Sequence, residues 1–160
     1  MTRRALVQGA RIVLAIIGMS PFLPALLTRV GAGSVAAVLD GWFRFQCERD
    51  PLRMLTVGAV CARCLGLYVG LGAGGLVARP RLGGRRLELW LALAVLAMLL
   101  DVASEWLGWR PAWAPLRLAT GLVLGYPAGV AVVAGLEGWA SAERPATSSA
   151  QNPSAKPADG

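Results

Sequence analysis

Cys61 and Cys64 lie one helical turn apart in the tetrad Cys-Ala-Arg-Cys, and Cys47 precedes them. These are the three cysteines of a 160-residue chain that has no histidine. Thiolates bind soft or borderline metals, pair as disulfides, or exchange electrons with other thiols. The missing histidine excludes a histidine metal site, a Ser-His or Cys-His nucleophile, and haem held by histidine. The Cys61–Cys64 pair opens an apolar run, where a helix N-terminus and the adjacent Arg63 both favour the thiolate. Asp101 and Glu105 are spaced i, i+4 and therefore share one helix face. Arg117 and Thr120 open the last apolar run.

These residues must be positioned by long apolar elements. The chain is 56% hydrophobic and only 16% charged, with a mean hydropathy of +0.56. A typical domain is near half apolar and a quarter charged, so the composition excludes a disordered chain and disfavours a soluble enzyme of standard build. Four runs are long enough to consider as spans: about 11–28, 57–78, 87–107 and 116–139. Pro21 and Pro24 should kink the first. The expected fold is all-α: a polytopic four-helix transmembrane domain over residues 1–140, followed by a disordered cytoplasmic tail over 141–160, which is rich in Ser, Pro and Ala. Arg3, Arg4 and Arg11 precede the first run, and no small-residue cleavage site follows it, so an uncleaved helix is expected rather than a signal peptide.

The net charge of +7 would ordinarily raise nucleic acid. Arginine in short links between apolar runs is instead a topology signal, so the expected partner is the lipid bilayer and not nucleic acid. Arg79, Arg81, Arg85 and Arg86 fill the link between the second and third runs. Together with the N-terminal arginines, Arg144 and Lys156, they put both termini inside. Trp90 and Trp139 then fall at the inner interface, and Trp106, Trp109 and Trp113 at the outer one. Between the first two runs, Val35, Val38, Leu39, Trp42 and Phe43 follow helical spacing, and Ser34 can cap the start. This segment is too short to span. It predicts an amphipathic helix lying on the outer surface, or else a short helix packed on the bundle end.

With this topology Cys61, Arg63, Cys64, Asp101, Glu105, Arg117 and Thr120 share the outer layer of the bundle. Charges inside a membrane are costly and mark candidate function. Asp101 needs a cation, and Arg63 and Arg117 lie at its level. The plainer alternative is that these ion pairs only fix helix packing. Gly66, Gly70 and Gly74 recur every four residues, as do Gly121, Gly125 and Gly129. Such faces let backbones approach closely. They predict that the second and fourth helices pack together, or that one face makes a homodimer or binds a membrane partner protein.

The run FQCERDPLRMLTVGAVCARCLGLYVG, residues 45–70, resembles the signature of domain-of-unknown-function family 2085, small predicted membrane proteins mostly of bacteria and archaea. Cys47, Pro51, Arg53, Cys61, Arg63, Cys64, Gly66, Tyr68 and Gly70 match that pattern. Asp101, Arg117, Thr120, Gly121 and Gly125 fit its later part. The resemblance implies a multi-pass protein of the bacterial inner membrane. A histidine follows the first cysteine in the family, where this chain has Glu48. A Cys-His-Cys-Cys set would supply four ligands to a zinc-like ion. Here three cysteines remain, with Glu48 or Asp101 needed as a fourth.

Three functions compete on these residues. The first is a non-enzymatic accessory or binding protein whose outer cluster of Cys, Asp and Arg holds a metal ion. The second is a membrane thiol–disulfide oxidoreductase using Cys61 and Cys64, a likeness of layout only. The third is structural, with a disulfide from Cys47 to Cys61 or Cys64 pinning the outer loop.

Overall fold

The computed structural model describes residues 3–47, 59–77 and 84–142. Among the described residues every regular element is helical: α1 (Arg3–Met19), a 3-10 turn (Ser20–Phe22), α2 (Leu23–Arg29), α3 (Gly33–Gln46), α4 (Ala62–Val77), α5 (Gly84–Trp106) and α6 (Ala114–Ala142). Three helical segments are long and apolar enough to cross a membrane: residues 4–29, 84–106 and 114–138. The expected fourth, α4, has 16 residues and starts at Ala62 rather than near 57. At 1.5 Å per residue it is about 24 Å long, short of the roughly 30 Å hydrocarbon core. Of the expected tail, 141–160, the first two residues belong to α6, and the rest, with the link residues Arg79 and Arg81, lies outside the described residues. Arg85 and Arg86 do not lie in that link but already belong to α5.

α4 is the centre of the bundle. One of its faces carries Gly66, Gly70 and Gly74 and meets the matching face of α6, Gly121, Gly125 and Gly129. A methyl group at Gly66 would strike the Leu118 carbonyl, and one at Gly121 the Arg63 carbonyl. The two stripes thus face each other within one chain, backbone against backbone. A second close crossing was not anticipated from the sequence. Gly72 and Gly75 of α4 lie against Gly18 and Leu14 of α1. At one end of the bundle Leu14, Leu87, Val130 and Val133 form a buried apolar core. Near it Arg11 bridges to Glu137 at 3.9 Å, tying α1 to α6. The outward rows are apolar and open. Ile12, Val13 and Ile16 on α1, and Leu89, Leu93, Leu96 and Leu99 on α5, are all more than half exposed, as a lipid-facing surface requires.

The prolines act as anticipated. Pro21 and Pro24 each sit in the first turn of a new element, so the first span breaks into α1, a 3-10 turn and α2. In such a turn the Pro21 carbonyl would bond to residue 24, but Pro24 has no N–H. That carbonyl instead accepts from Ala59 N–H at 3.1 Å, which anchors the strand of chain entering α4.

α2 ends at Gly31, whose φ of +82° is left-handed. Ala32 N–H donates to Leu27 O and Gly31 N–H to Thr28 O, a Schellman arrangement. α3 follows at once, and its N-cap is Ala32 without a side-chain cap. Ser34 therefore does not cap the helix, because the glycine turn sets its start two residues too early. α3 buries Ala36 and Phe43, whereas Val35, Val38 and Trp42 of the apolar stripe are exposed. The helix thus packs on the bundle end through Phe43, with Leu39 half-buried, and keeps the rest of its apolar stripe outward.

Candidate functional site

Two clusters occupy the end of the bundle where α4 begins. The first is the cysteine group. Phe43, at 3% exposure, seals a core with Ala59, Val60 and Leu65. Its ring stands edge-on to Tyr68, with centroids 6.0 Å apart at 87°. One turn further along α3, Gln46 Oε1 accepts from the Tyr68 hydroxyl at 2.7 Å. α3 is thereby docked on α4, and Cys47, extended just past its end, is delivered to the α4 N-terminus. Cys61 arrives by the other route, through the Pro21–Ala59 bond and the buried Val60. Cys64 lies one turn into α4, beside Cys61. The three sulfurs all lie within 4.8 Å of one another, none of them in a disulfide. Cys47 and Cys61 are buried and Cys64 is half-buried. Burial is the largest influence on the Cys47 thiol and pushes its pKa up. Glu48, the sequence's candidate for a fourth ligand, lies outside the described residues.

Truncating the Phe43 ring removes the wedge that holds α3 against α4. Phe43→Ala is expected to cost about 3–5 kcal/mol and to separate Cys47 from its partners. Crosslinking with a short bifunctional thiol reagent checks this: the Cys47–Cys61 product should fall sharply, while Cys61–Cys64 persists.

The second cluster is the charge layer. Arg63 points away from the sulfurs, towards α5. It donates to Asp101 Oδ2 from Nη2 at 2.5 Å and to Glu105 Oε2 at 3.1 Å. Arg117 pairs with Glu105 rather than with Asp101. Thr120 Oγ1 donates to Asp101 Oδ2 at 3.2 Å. The second cation on Asp101 is Arg110, from the link between α5 and α6. Arg110 also donates from Nε to Ser104 Oγ at 3.0 Å.

The signal for Arg110 was Gly108. With φ +71° it closes α5 in a second Schellman arrangement, with Trp109 N–H on Ser104 O and Gly108 N–H on Glu105 O. The chain reverses, and Arg110 folds back over the turn that carries Asp101.

Among the described residues Asp101 and Arg117 are the buried charged ones, at 5% and 3% exposure. Both Asp101 oxygens accept hydrogen bonds from arginine and threonine. The group of ligand atoms that converge is Cys47, Cys61 and Cys64, without Asp101. Trp106, Trp109 and Trp113 stand open at this same end. Trp90, near the start of α5, packs on Tyr126 at 5.5 Å.

The thiol trio and the charge layer are joined through Arg63, whose backbone sits between two cysteines and whose side chain binds two carboxylates. No curated protein and no solved structure matches the chain. A family model described as "Predicted membrane protein (DUF2085)" matches residues 47–131, which include both clusters and the α4–α6 glycine faces. That match covers more than half of the sequence, and the chain belongs to the DUF2085 family of predicted membrane proteins.

Proposed function

We propose that the chain is a non-enzymatic binding or accessory protein of the bacterial inner membrane, whose Cys47, Cys61 and Cys64 hold a zinc-like ion at its outer face. The observation that carries this reading is that all three sulfurs converge within 4.8 Å. A disulfide or a dithiol redox couple needs two of them, whereas a metal site uses all three. Zinc–sulfur bonds of about 2.3 Å in tetrahedral geometry put sulfurs about 3.8 Å apart, within reach of this spacing. The fourth position is left to Glu48, to water or to a small ligand. Thiolates suit zinc or a softer ion.

In this reading α4 serves as a fourth, short span, shielded from lipid by α1 and α6 rather than by its own length. Both termini are cytoplasmic. Arg4, Arg11, Arg85 and Arg86 lie at the far end of the bundle, as the positive-inside rule requires. At the cysteine end Arg63, Arg110 and Arg117 are taken up in ion pairs.

The test is the metal content of protein purified in mild detergent with reductant. Stoichiometric zinc is expected in the wild type, with loss to background in Cys47→Ser and in Cys61→Ser. Fully reduced thiols without any metal would end the proposal. A mixed disulfide trapped in Cys64→Ser would replace it with thiol exchange.

A further inference from the structure

We infer that the open groove between α5 and α6, beside the charge layer, binds an anionic phospholipid by its phosphate headgroup. The groove has a volume of about 400 Å³. Its polar edge is formed by Asp101, Ser104, Arg110 and Thr120, with Trp109 alongside, and its apolar wall by Ala97, Leu100 and Leu116. Along α5 it therefore presents Ser104 and Asp101 nearer the end of the bundle and Leu100 and Ala97 towards its middle, the sequence of chemistry along a lipid from headgroup to acyl chain, while Leu116 of α6 adds apolar surface at the outer end. The apolar wall continues into the exposed row Leu93, Leu96 and Leu100 of α5.

Charge complementarity selects the headgroup. Among the described residues the layer contains three guanidinium groups, Arg63, Arg110 and Arg117, against two carboxylates, Asp101 and Glu105. It is one negative charge short. All four carboxylate oxygens already accept hydrogen bonds: Asp101 from Arg63, Arg110 and Thr120, and Glu105 from Arg63 and Arg117. Arg110 Nη1 is buried and has no acceptor among the described residues. A buried donor without an acceptor is costly. The missing charge and the missing acceptor fall on the one arginine that lines the groove, whose side chain is 23% exposed. A phosphate resting against it supplies the charge directly. The Trp109 indole N–H is a further donor at the mouth, and interfacial tryptophans sit at headgroup depth. This site is independent of the cysteine trio and stands or falls without it.

Native mass spectrometry of the full chain, titrated with phosphatidylglycerol and with phosphatidylcholine, tests the inference. Phosphatidylglycerol should bind about fivefold more tightly, the effect of one cation on one anionic headgroup. Arg110→Gln should abolish that preference. Leu100→Trp leaves every ion pair intact and fills the groove, so it should weaken phosphatidylglycerol binding even if Arg110→Gln fails to fold. Equal binding of the two lipids, or an unchanged preference in Leu100→Trp, would overturn the inference. Displacement of the lipid by millimolar inorganic phosphate would also overturn it, by making the site one for free phosphate.

Discussion

Asp101→Leu is expected to destabilise the bundle by about 3–5 kcal/mol, the cost of breaking one side of a buried ion pair. The Asp101 side chain is 2% exposed and accepts from Arg63, Arg110 and Thr120. Leucine has similar bulk and no acceptor, so two guanidinium groups lose a partner in a place with little water. Arg63 keeps Glu105 at 3.1 Å, whereas Arg110 keeps only the Ser104 hydroxyl and the Asp101 main-chain carbonyl. The compensating change is therefore Arg110→Leu, not a change at Arg63 or Arg117. The double variant Asp101→Leu, Arg110→Leu returns the layer to its original net charge and should recover most of the lost stability. Thermal unfolding in detergent, followed by tryptophan fluorescence, measures both variants. An Asp101→Leu protein as stable as wild type would show that the ion pair contributes nothing.

Gly121→Ala is expected to cost about 3 kcal/mol, the upper end of the overpacking range. The added methyl meets the Arg63 carbonyl, then the Leu67 nitrogen. Backbone cannot change rotamer, so α6 has to back away from α4 along its whole glycine face. Gly135 on the same helix is the control, because a methyl there meets nothing within 4 Å. Gly135→Ala should be neutral or slightly stabilising, since alanine favours helix over glycine by about 1 kcal/mol. Equal effects at Gly121 and Gly135 would mean that the α4–α6 contact is not close. Because Arg63 lies at that contact, Gly121→Ala should also loosen the charge layer.

Spacing alone made the glycine faces, the Cys-x-x-Cys turn and the shared face of Asp101 and Glu105 legible. Each depends on helical periodicity within a single element, which the sequence displays directly. What was missed depends on how elements meet. Arg110 reaches Asp101 only because Gly108 reverses the chain; the glycine is visible in the sequence, but the direction in which its turn sends the arginine is not. The contact of Gly72 and Gly75 with α1 was hidden because these glycines break the four-residue repeat. On α3, the stripe Val35, Val38, Leu39, Trp42 and Phe43 has the spacing of a packing face, yet only its Phe43 is buried, together with Ala36 outside it, while Val35, Val38 and Trp42 are exposed. Apolar residues that face lipid and those that face protein look alike in a sequence, so periodicity finds the stripe and not its partner. α4 was overestimated for a related reason. Apolar residues just before Cys61 read as helix, but Ala59 and Val60 are held in an irregular segment by the Pro21 carbonyl.

The convergence of Cys47, Cys61 and Cys64 on one metal ion is tested most directly by zinc-edge X-ray absorption on protein purified with zinc and reductant. Three sulfur scatterers at about 2.3 Å with one lighter atom beside them are the predicted result, and Cys47→Ser, which no longer retains the ion, should lose this zinc–sulfur signal. A spectrum with only oxygen or nitrogen neighbours at about 2.0–2.1 Å, or one unchanged by Cys47→Ser, would contradict the three-cysteine site.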